Sequence, residues 1–426
     1  MIKKELSDLD LTVYEEKLDN GLSIYMVPVN NVNSVYATLS TNFGGDMEEF
    51  IPIESKKMIK MPRGIAHFIE HQMFNQADGT DVFAFYSERG TNCNANTRNN
   101  KTTYLFSGVN FVEDNLNKLL DFVFEPYFTD ESITKEQGII KEEIGMYNDD
   151  PYTKITYQLY NNVFKVHPLK TPLIGNDKSI EKITKDDLYT CYKTFYQPSN
   201  MYLIVTGNII PEKIVELVKN NFSKKELVTN KPITVKTYNE PDIVAVKEQN
   251  MDLKVAIPKL ALAYKINISN LKNVKKHEIL LYLSFLFDSK LGPTSLFLEQ
   301  LKKDDLIIDN FFISIIDIKT HAVVMIQADT NYPKKLFERI KKELKEIKIS
   351  EEELNRRKKV LMSYQVLGSE NIYQINLKLM NNLSNDGEII YDAYNDIRNL
   401  NIKQFNYIVN NINLDNNSVI YVESKN

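Results

Sequence analysis

His67-Phe68-Ile69-Glu70-His71 forms an H-x-x-E-H pattern in the first quarter of the chain. On a helix, His67 and His71 lie one turn apart, so both imidazoles project from one face. This spacing lets two ring nitrogens bind one Zn²⁺ at about 2.0–2.1 Å. Glu70 lies beside His71, where it can accept a proton from a water that the metal acidifies. The pattern therefore predicts a zinc site with Glu70 as general base, in the inverted order of the H-E-x-x-H motif.

The same stretch has a plainer interpretation, in which two satisfied histidines and a surface glutamate occupy an amphipathic helix. The flanking residues, however, are apolar on most sides of that helix: Ile65, Ala66, Phe68, Ile69, Met73 and Phe74. A helix that is apolar nearly all round is buried, and buried histidines beside a buried carboxylate need a strong partner. These neighbours favour the metal interpretation.

Length and composition limit the classes of protein that the chain can belong to. Its 426 residues predict two domains, and its 43% hydrophobic and 26% charged residues are typical of a soluble globular protein. The formal net charge of -5 argues against nucleic acid or an anionic membrane as the main partner. We find no signal peptide and no apolar stretch long enough for a membrane span. Two isolated cysteines, Cys93 and Cys191, indicate a reducing compartment. We therefore expect a cytoplasmic protein.

Strands and then helices follow each other twice along the chain. Alternating apolar residues predict strands within 12–44 and 91–108 of the first half, and within 243–265 and 311–328 of the second. Helices follow each group, and the last long one is predicted over residues 351–383. The fold class is therefore predicted as α+β, with two structurally similar domains.

The boundary between the two domains is predicted from a loss of periodicity. Residues 223–242 carry prolines and no regular pattern of apolar residues. We therefore predict a zinc-binding domain over residues 1–228 and a similar domain without a metal site over residues 229–426.

One predicted strand, residues 91–98, is polar on both faces. It can be an ordinary solvated edge strand. Alternatively, its edge stays open so that a peptide adds to the sheet as a further strand. The strand pattern alone leaves both interpretations open.

A zinc site of the catalytic kind needs a third protein ligand and an open position for water. Glu136 and Glu143 lie two turns apart on a predicted helix and so share a face. Taken alone, such carboxylates are typical of a solvated helix face. Beside the H-x-x-E-H helix, one of them can bind the metal while the other orients a histidine ring.

Three motifs make the chain similar to the pitrilysin, insulinase and mitochondrial processing peptidase family of zinc peptidases, and most similar to the zinc-bearing member of its paired bacterial enzymes. The first is H-x-x-E-H itself. The second is G-x-x-x-N-A-x-T, matched by residues 90–97, and the third is E-E-I-x-M-Y-x-D-x-P, matched by residues 142–151. Leu18-Asp19-Asn20-Gly21-Leu22 also fits, so the resemblance spans the first half of the chain.

The resemblance implies roles for individual residues. It implies one Zn²⁺ per chain bound by His67, His71 and Glu143, with Glu70 as general base. Glu136 would orient a histidine from behind the metal, and Asn94 and Ala95 would hold the peptide substrate along the edge strand. It also implies that each domain is a mainly antiparallel sheet with helices packed on one face.

The second half departs from the family pattern. Self-sufficient relatives carry an arginine and a tyrosine there that bind substrate, whereas this chain offers Lys302 and Ile308. Lysine lacks the planar fork of arginine, and isoleucine has no hydroxyl group. We therefore expect a zinc endopeptidase that cleaves peptides or small unfolded chains in a closed chamber, as the catalytic subunit of a heterodimer with a paralogous non-zinc chain. A homodimer is also possible. The alternative is a non-catalytic assembly or peptide-binding subunit.

Overall fold

A computed structural model describes residues 1–6, 9–225, 230–345 and 347–424. The chain divides into two compact units, each built from three segments. The first unit comprises Met1–Gly145, Pro172–Thr237 and Gln365–Ala393, and the second comprises Met146–Thr171, Tyr238–Tyr364 and Tyr394–Asn426. Each unit therefore contains residues from both of the predicted domains, 1–228 and 229–426. The predicted boundary between those domains lies outside the described residues.

The strands of the described residues fall into three sheets. In chain order they are β1 (Ile2–Leu6), β2 (Leu11–Lys17), β3 (Ser23–Pro28), β4 (Val35–Thr41), β5 (Glu49–Ile51), β6 (Ile59–Lys60), β7 (Asn92–Thr97), β8 (Thr102–Gly108), β9 (Met201–Gly207), β10 (Thr234–Val235), β11 (Glu248–Leu253), β12 (Lys259–Asn267), β13 (Phe311–Asp317), β14 (His321–Asp329) and β15 (Asn417–Ser424).

The helices lie between these strands, together with two short 3₁₀ turns at Pro168–Lys170 and Pro198–Asn200. They are α1 (Ile65–Gln72), α2 (Val82–Ser87), α3 (Val112–Phe124), α4 (Asp130–Asp149), α5 (Pro151–Val163), α6 (Asp177–Ile180), α7 (Lys185–Phe195), α8 (Pro211–Phe222), α9 (Lys276–Leu291), α10 (Leu296–Lys303), α11 (Pro333–Glu343), α12 (Glu351–Ser369), α13 (Ile372–Asp386), α14 (Ala393–Asn399) and α15 (Ile402–Asn411). Among the described residues, none of these helices has both the length and the apolar character needed to cross a bilayer.

The first unit contains a seven-stranded sheet in the order β1-β2-β3-β9-β4-β8-β7 and a small sheet in the order β10-β5-β6. The large sheet is antiparallel except where β3 pairs with β9. Strand β7 stands at its edge and pairs only with β8 within this sheet. The predicted class, α+β with mainly antiparallel sheets, is confirmed.

The two faces of this sheet are covered by different helices. Leu203 and Val205 of β9 pack with Phe68 and Ile69 of α1 in the main core. Successive residues of a strand point to opposite faces, and Ile204 accordingly packs against α13. Helix α13 thus lies on the face opposite to α1, an addition to the predicted arrangement.

The second unit repeats this plan with a five-stranded sheet in the order β11-β15-β12-β14-β13. Leu260 and Leu262 of β12 pack with α9 and its neighbours. Ala261 and Ala263 of the same strand pack against Ile155 of α5 on the other face. Helix α13, from the second half of the chain, covers the sheet of the first unit, and α5, from the first half, covers the sheet of the second unit. The segments of the two units therefore alternate along the chain.

The predicted helix over residues 351–383 is wrong, because the structure has two helices there, α12 and α13. The side chain of Asn371 accepts hydrogen bonds from the backbone N–H groups of Tyr373 and Gln374, at 2.9 and 3.2 Å. Asparagine is a preferred N-cap because it satisfies such orphan donors. Asn371 therefore starts a new helix inside an otherwise continuous apolar pattern.

Candidate metal centre

Helix α1 carries the H-x-x-E-H residues and begins immediately after Gly64. Gly64 has φ 98°, in the left-handed region that favours glycine. A Cβ at this position would lie 2.5 Å from the Ile174 carbonyl oxygen and 2.7 Å from Ile180 Cδ1. Glycine thus allows the chain to turn tightly into the buried helix that positions both histidines.

His67, His71 and Glu143 converge on one point. The Nε2 atoms of both histidines lie 3.8 Å from Glu143 Oε2, and the three candidate ligand atoms lie within 4.8 Å of one another. Ligands at about 2.0–2.2 Å from a tetrahedral zinc lie roughly 3.3–3.6 Å apart, so these donors need to move only slightly to fit the ion. Two imidazole nitrogens and one carboxylate oxygen are also a known donor set of catalytic zinc.

Glu136 lies behind His71 and not among the three converging atoms. Its Oε1 is 2.8 Å from His71 Nδ1. When Nδ1–H donates to this carboxylate, the Nε2 lone pair is left facing Glu143 and the metal position. Glu142, the residue before Glu143, is exposed and is not one of the three converging residues. The geometry therefore puts Glu143 among the three converging atoms and Glu136 behind His71, a distinction that helix spacing alone left open.

The two histidines differ in their surroundings. Burial, aided by the neighbouring His71, lowers the pKa of His67 to about 3, so this ring is neutral and able to bind a metal. Burial acts in the same direction on His71, but the Glu136 hydrogen bond and the nearby carboxylates outweigh it and raise the His71 pKa. His71 therefore holds a proton more strongly than His67 does, and a metal ion would compete with that proton.

Glu70 is 8% exposed, and its Oε2 accepts a hydrogen bond of 2.5 Å from the Thr97 hydroxyl. Burial raises the pKa of the Glu70 carboxyl, and the Thr97 hydrogen bond opposes part of that shift. The sequence pattern alone gives no role to Thr97, although this residue lies in the motif over residues 90–97. The contact joins residues 27 apart in the chain, which no local pattern reveals.

Asn94 and Ala95 lie on the edge strand β7. The exposed side chain of Asn94 accepts a hydrogen bond of 2.8 Å from the backbone N–H of Ala95. Ala95 itself packs against the core that contains α1. Both residues therefore lie at the open edge of the sheet, with Ala95 directed toward the side of the zinc helix.

Two residues in the second unit bear on the departure from the family pattern. Lys302 is exposed near the end of α10, and the side chain of Ile308 is 44% exposed.

A separate group of possible metal ligands, His277, Glu278 and Asp396, occurs in this unit. The Lys275 ammonium group lies 3.9 Å from Glu278 and 3.6 Å from Asp396, so these carboxylates already have a cationic neighbour.

Comparisons with known proteins agree with this geometry. The family model described as Insulinase (Peptidase family M16) matches residues 59–177, and the one described as Peptidase M16 inactive domain matches residues 182–361. The uncharacterized zinc protease YmfH of Bacillus subtilis (strain 168) is 38% identical over 343 residues, which is 80% of this chain and 79% of the relative. An uncharacterized zinc protease of Rickettsia bellii (strain RML369-C) is 34% identical over 214 residues, 49% of each protein.

A solved structure is similar over the full length. The M16-like peptidase from Alicyclobacillus acidocaldarius matches with a TM-score of 0.91 at 27% identity, covering 99% of this chain and 100% of that one. A protease from Helicobacter pylori matches in fold with a TM-score of 0.82 at 18% identity, over 96% and 99% of the two chains. The two sequence relatives are named as zinc proteases, and the two structural relatives as a peptidase and a protease. The chain belongs to the insulinase family, peptidase family M16.

Proposed function

We propose that the protein is a zinc endopeptidase that cleaves peptides or small unfolded chains. The observation that carries this proposal is the convergence of His67 Nε2, His71 Nε2 and Glu143 Oε2, with Glu70 on the same helix as the histidines. One Zn²⁺ bound by these three residues would acidify water and polarise the scissile carbonyl. The naming of relatives as zinc proteases supports the same reading.

Glu70 is proposed as the general base. Its carboxylate accepts the proton of the attacking water and then delivers it to the leaving amine nitrogen, which must be protonated before it departs. Burial favours this role, since a carboxylate that is less stable in its charged form is a stronger proton acceptor. Glu136 holds His71 in the tautomer that keeps Nε2 free for the metal.

Strand β7 is proposed to bind the substrate. An extended peptide can add to a free sheet edge through backbone hydrogen bonds, which accept many sequences. Such binding requires an unfolded segment, in keeping with peptides or unfolded chains as substrates. Asn94 and Ala95 lie in this strand, and a closed chamber around it would exclude folded proteins.

We further propose that the chain is the catalytic subunit of a heterodimer, with a paralogue that lacks zinc. The support is the absence of the family's arginine and tyrosine from the expected segment. Lys302 stands in the arginine's place, and Ile308, one residue early, in the tyrosine's. The alternative, a non-catalytic assembly or peptide-binding subunit, is less well supported, because all three proposed ligands and the proposed base are present.

Metal analysis of the purified protein, combined with a peptide-cleavage assay, tests the proposed function. We expect one zinc per chain, loss of cleavage on treatment with a chelator, and recovery on adding zinc back. A protein that binds no zinc, or that binds peptides without cleaving them in any assembly, would support the non-catalytic alternative.

A further inference from the structure

We propose that Thr97 is a positioning residue that fixes the Glu70 carboxylate relative to the open edge of β7. This inference rests on the proposed function, because it takes Glu70 to be the general base. Thr97 ends β7, whereas Glu70 lies on α1, so their contact joins the edge strand to the zinc helix.

The hydroxyl group of Thr97 has one hydrogen to donate, and its surroundings indicate where that hydrogen goes. An ionised Glu70 carboxylate can only accept, so the 2.5 Å contact to Oε2 requires Thr97 to donate. The Thr102 hydroxyl lies 3.2 Å from that of Thr97, but Thr102 donates to the Phe43 carbonyl at 2.9 Å. Thr97 is therefore free to act as a charge-assisted donor to the base, the stronger kind of hydrogen bond.

The pairing of β7 with β8 shows which way the backbone N–H of Thr97 points. Arg98 N–H donates to the Lys101 carbonyl at 2.7 Å across the turn, so Arg98 and Lys101 form a hydrogen-bonded pair. Such pairs alternate along an antiparallel ladder. Thr97, which is opposite Thr102, therefore turns its N–H toward the open edge, as does Ala95 two residues earlier.

The hydrogen bond from Thr97 therefore fixes the general base Glu70 next to the strand proposed to bind the substrate. A peptide that pairs with the open edge of β7 near Thr97 would lie beside the Glu70 carboxylate, which the Thr97 hydroxyl holds. Thr97 thus links the position of Glu70 to the strand edge on which the substrate is proposed to lie. Because a misplacement of about 1 Å can cost on the order of 10²-fold in rate, loss of the hydroxyl should affect turnover more than binding.

The experiment compares Thr97→Val, which removes the hydroxyl but keeps the shape, with Thr97→Ser, which keeps the hydroxyl. Zinc content, kcat and KM are measured for both variants beside the wild type, and Thr102→Val serves as the matched loss of a neighbouring threonine hydroxyl. We expect Thr97→Val to retain zinc and KM while kcat falls by about 10- to 100-fold. Thr97→Ser should restore most of kcat, and Thr102→Val should stay close to the wild type.

A readout independent of activity comes from crystal structures of the metal-free variants. Glu70 should keep its contact with residue 97 in Thr97→Ser and lose its position in Thr97→Val. Unchanged kcat in Thr97→Val, or an equal loss in Thr97→Ser with zinc retained, would overturn the inference. Failure of the proposed function would look different, because the wild type itself would then bind no zinc or cleave no peptide.

Discussion

Glu136 Oε1 lies 2.8 Å from His71 Nδ1, on the far side of the ring from Glu143. This contact orients the ring and raises its basicity as a ligand without placing Glu136 on the metal. We predict that Glu136→Gln lowers zinc affinity by about 10- to 100-fold, measured by competition with a chelator of known affinity. Glu142→Gln, on the same helix but exposed, is the control and should bind zinc normally. Equal zinc affinities for the two variants would show that Glu136 does not contribute to zinc binding.

The choice of Glu143 over its neighbour Glu142 is tested by the same titration. Adjacent residues on a helix point about 100° apart, so only one of them can face the histidines. Glu143 Oε2 lies 3.8 Å from both Nε2 atoms. We predict that Glu143→Gln loses far more zinc affinity than Glu142→Gln, and more than Glu136→Gln. The reverse ranking of Glu142 and Glu143 would show that the ligand is misassigned.

Much of this site could be predicted from the sequence because helix periodicity is local. The spacing of His67 and His71, and of Glu136 and Glu143, places each pair on one face whatever the rest of the chain does. The Thr97–Glu70 contact could not be predicted in this way, because it depends on how β7 lies against α1. The helix start at Asn371 is a separate case. Asn371 caps α13 within a stretch whose apolar residues continue on both sides, and that continuity predicts one helix instead of two.

A buried lysine provides a prediction on stability. Lys101 is 1% exposed, and its ammonium group donates to two neutral oxygens, Asn381 Oδ1 at 3.1 Å and Ser384 Oγ at 2.9 Å. Burial lowers the pKa of Lys101 to about 8, aided by Arg98. The folded protein therefore holds the proton less well than the unfolded chain, and its stability rises as the pH increases from about 8 toward the ordinary lysine pKa of about 10.4.

Replacing this lysine should remove that dependence. We predict that the wild type gains stability relative to Lys101→Met as the pH rises from 7.5 to 10 (roughly the interval between the two pKa values), measured by thermal unfolding at each pH. Lys213→Met, at an exposed position of α8, is the control and should keep the wild-type profile. A Lys101→Met profile parallel to the wild type would contradict the assignment.

The proposed heterodimer predicts a difference between the isolated chain and the assembly. The chain alone should bind zinc yet cleave peptides slowly, because Lys302 and Ile308 replace the groups that fix the substrate in self-sufficient relatives. Adding a paralogue that carries the arginine–tyrosine pair should raise the rate of cleavage by about 10-fold or more. The rate is measured at a fixed concentration of the zinc-binding chain. Full activity of the homogeneous chain, unchanged by Lys302→Ala, would contradict the need for a partner.

The central claim is that Glu70 moves a proton while His67, His71 and Glu143 bind the metal. Its most direct test is the zinc content and peptide turnover of Glu70→Gln, measured side by side with the wild type. Glutamine keeps the size of the side chain and can still accept a hydrogen bond from Thr97, but it cannot take up the proton. We predict one zinc per chain with nearly complete loss of turnover. A variant that arrives without zinc would make Glu70 a ligand, and one that retains turnover would exclude it as the base.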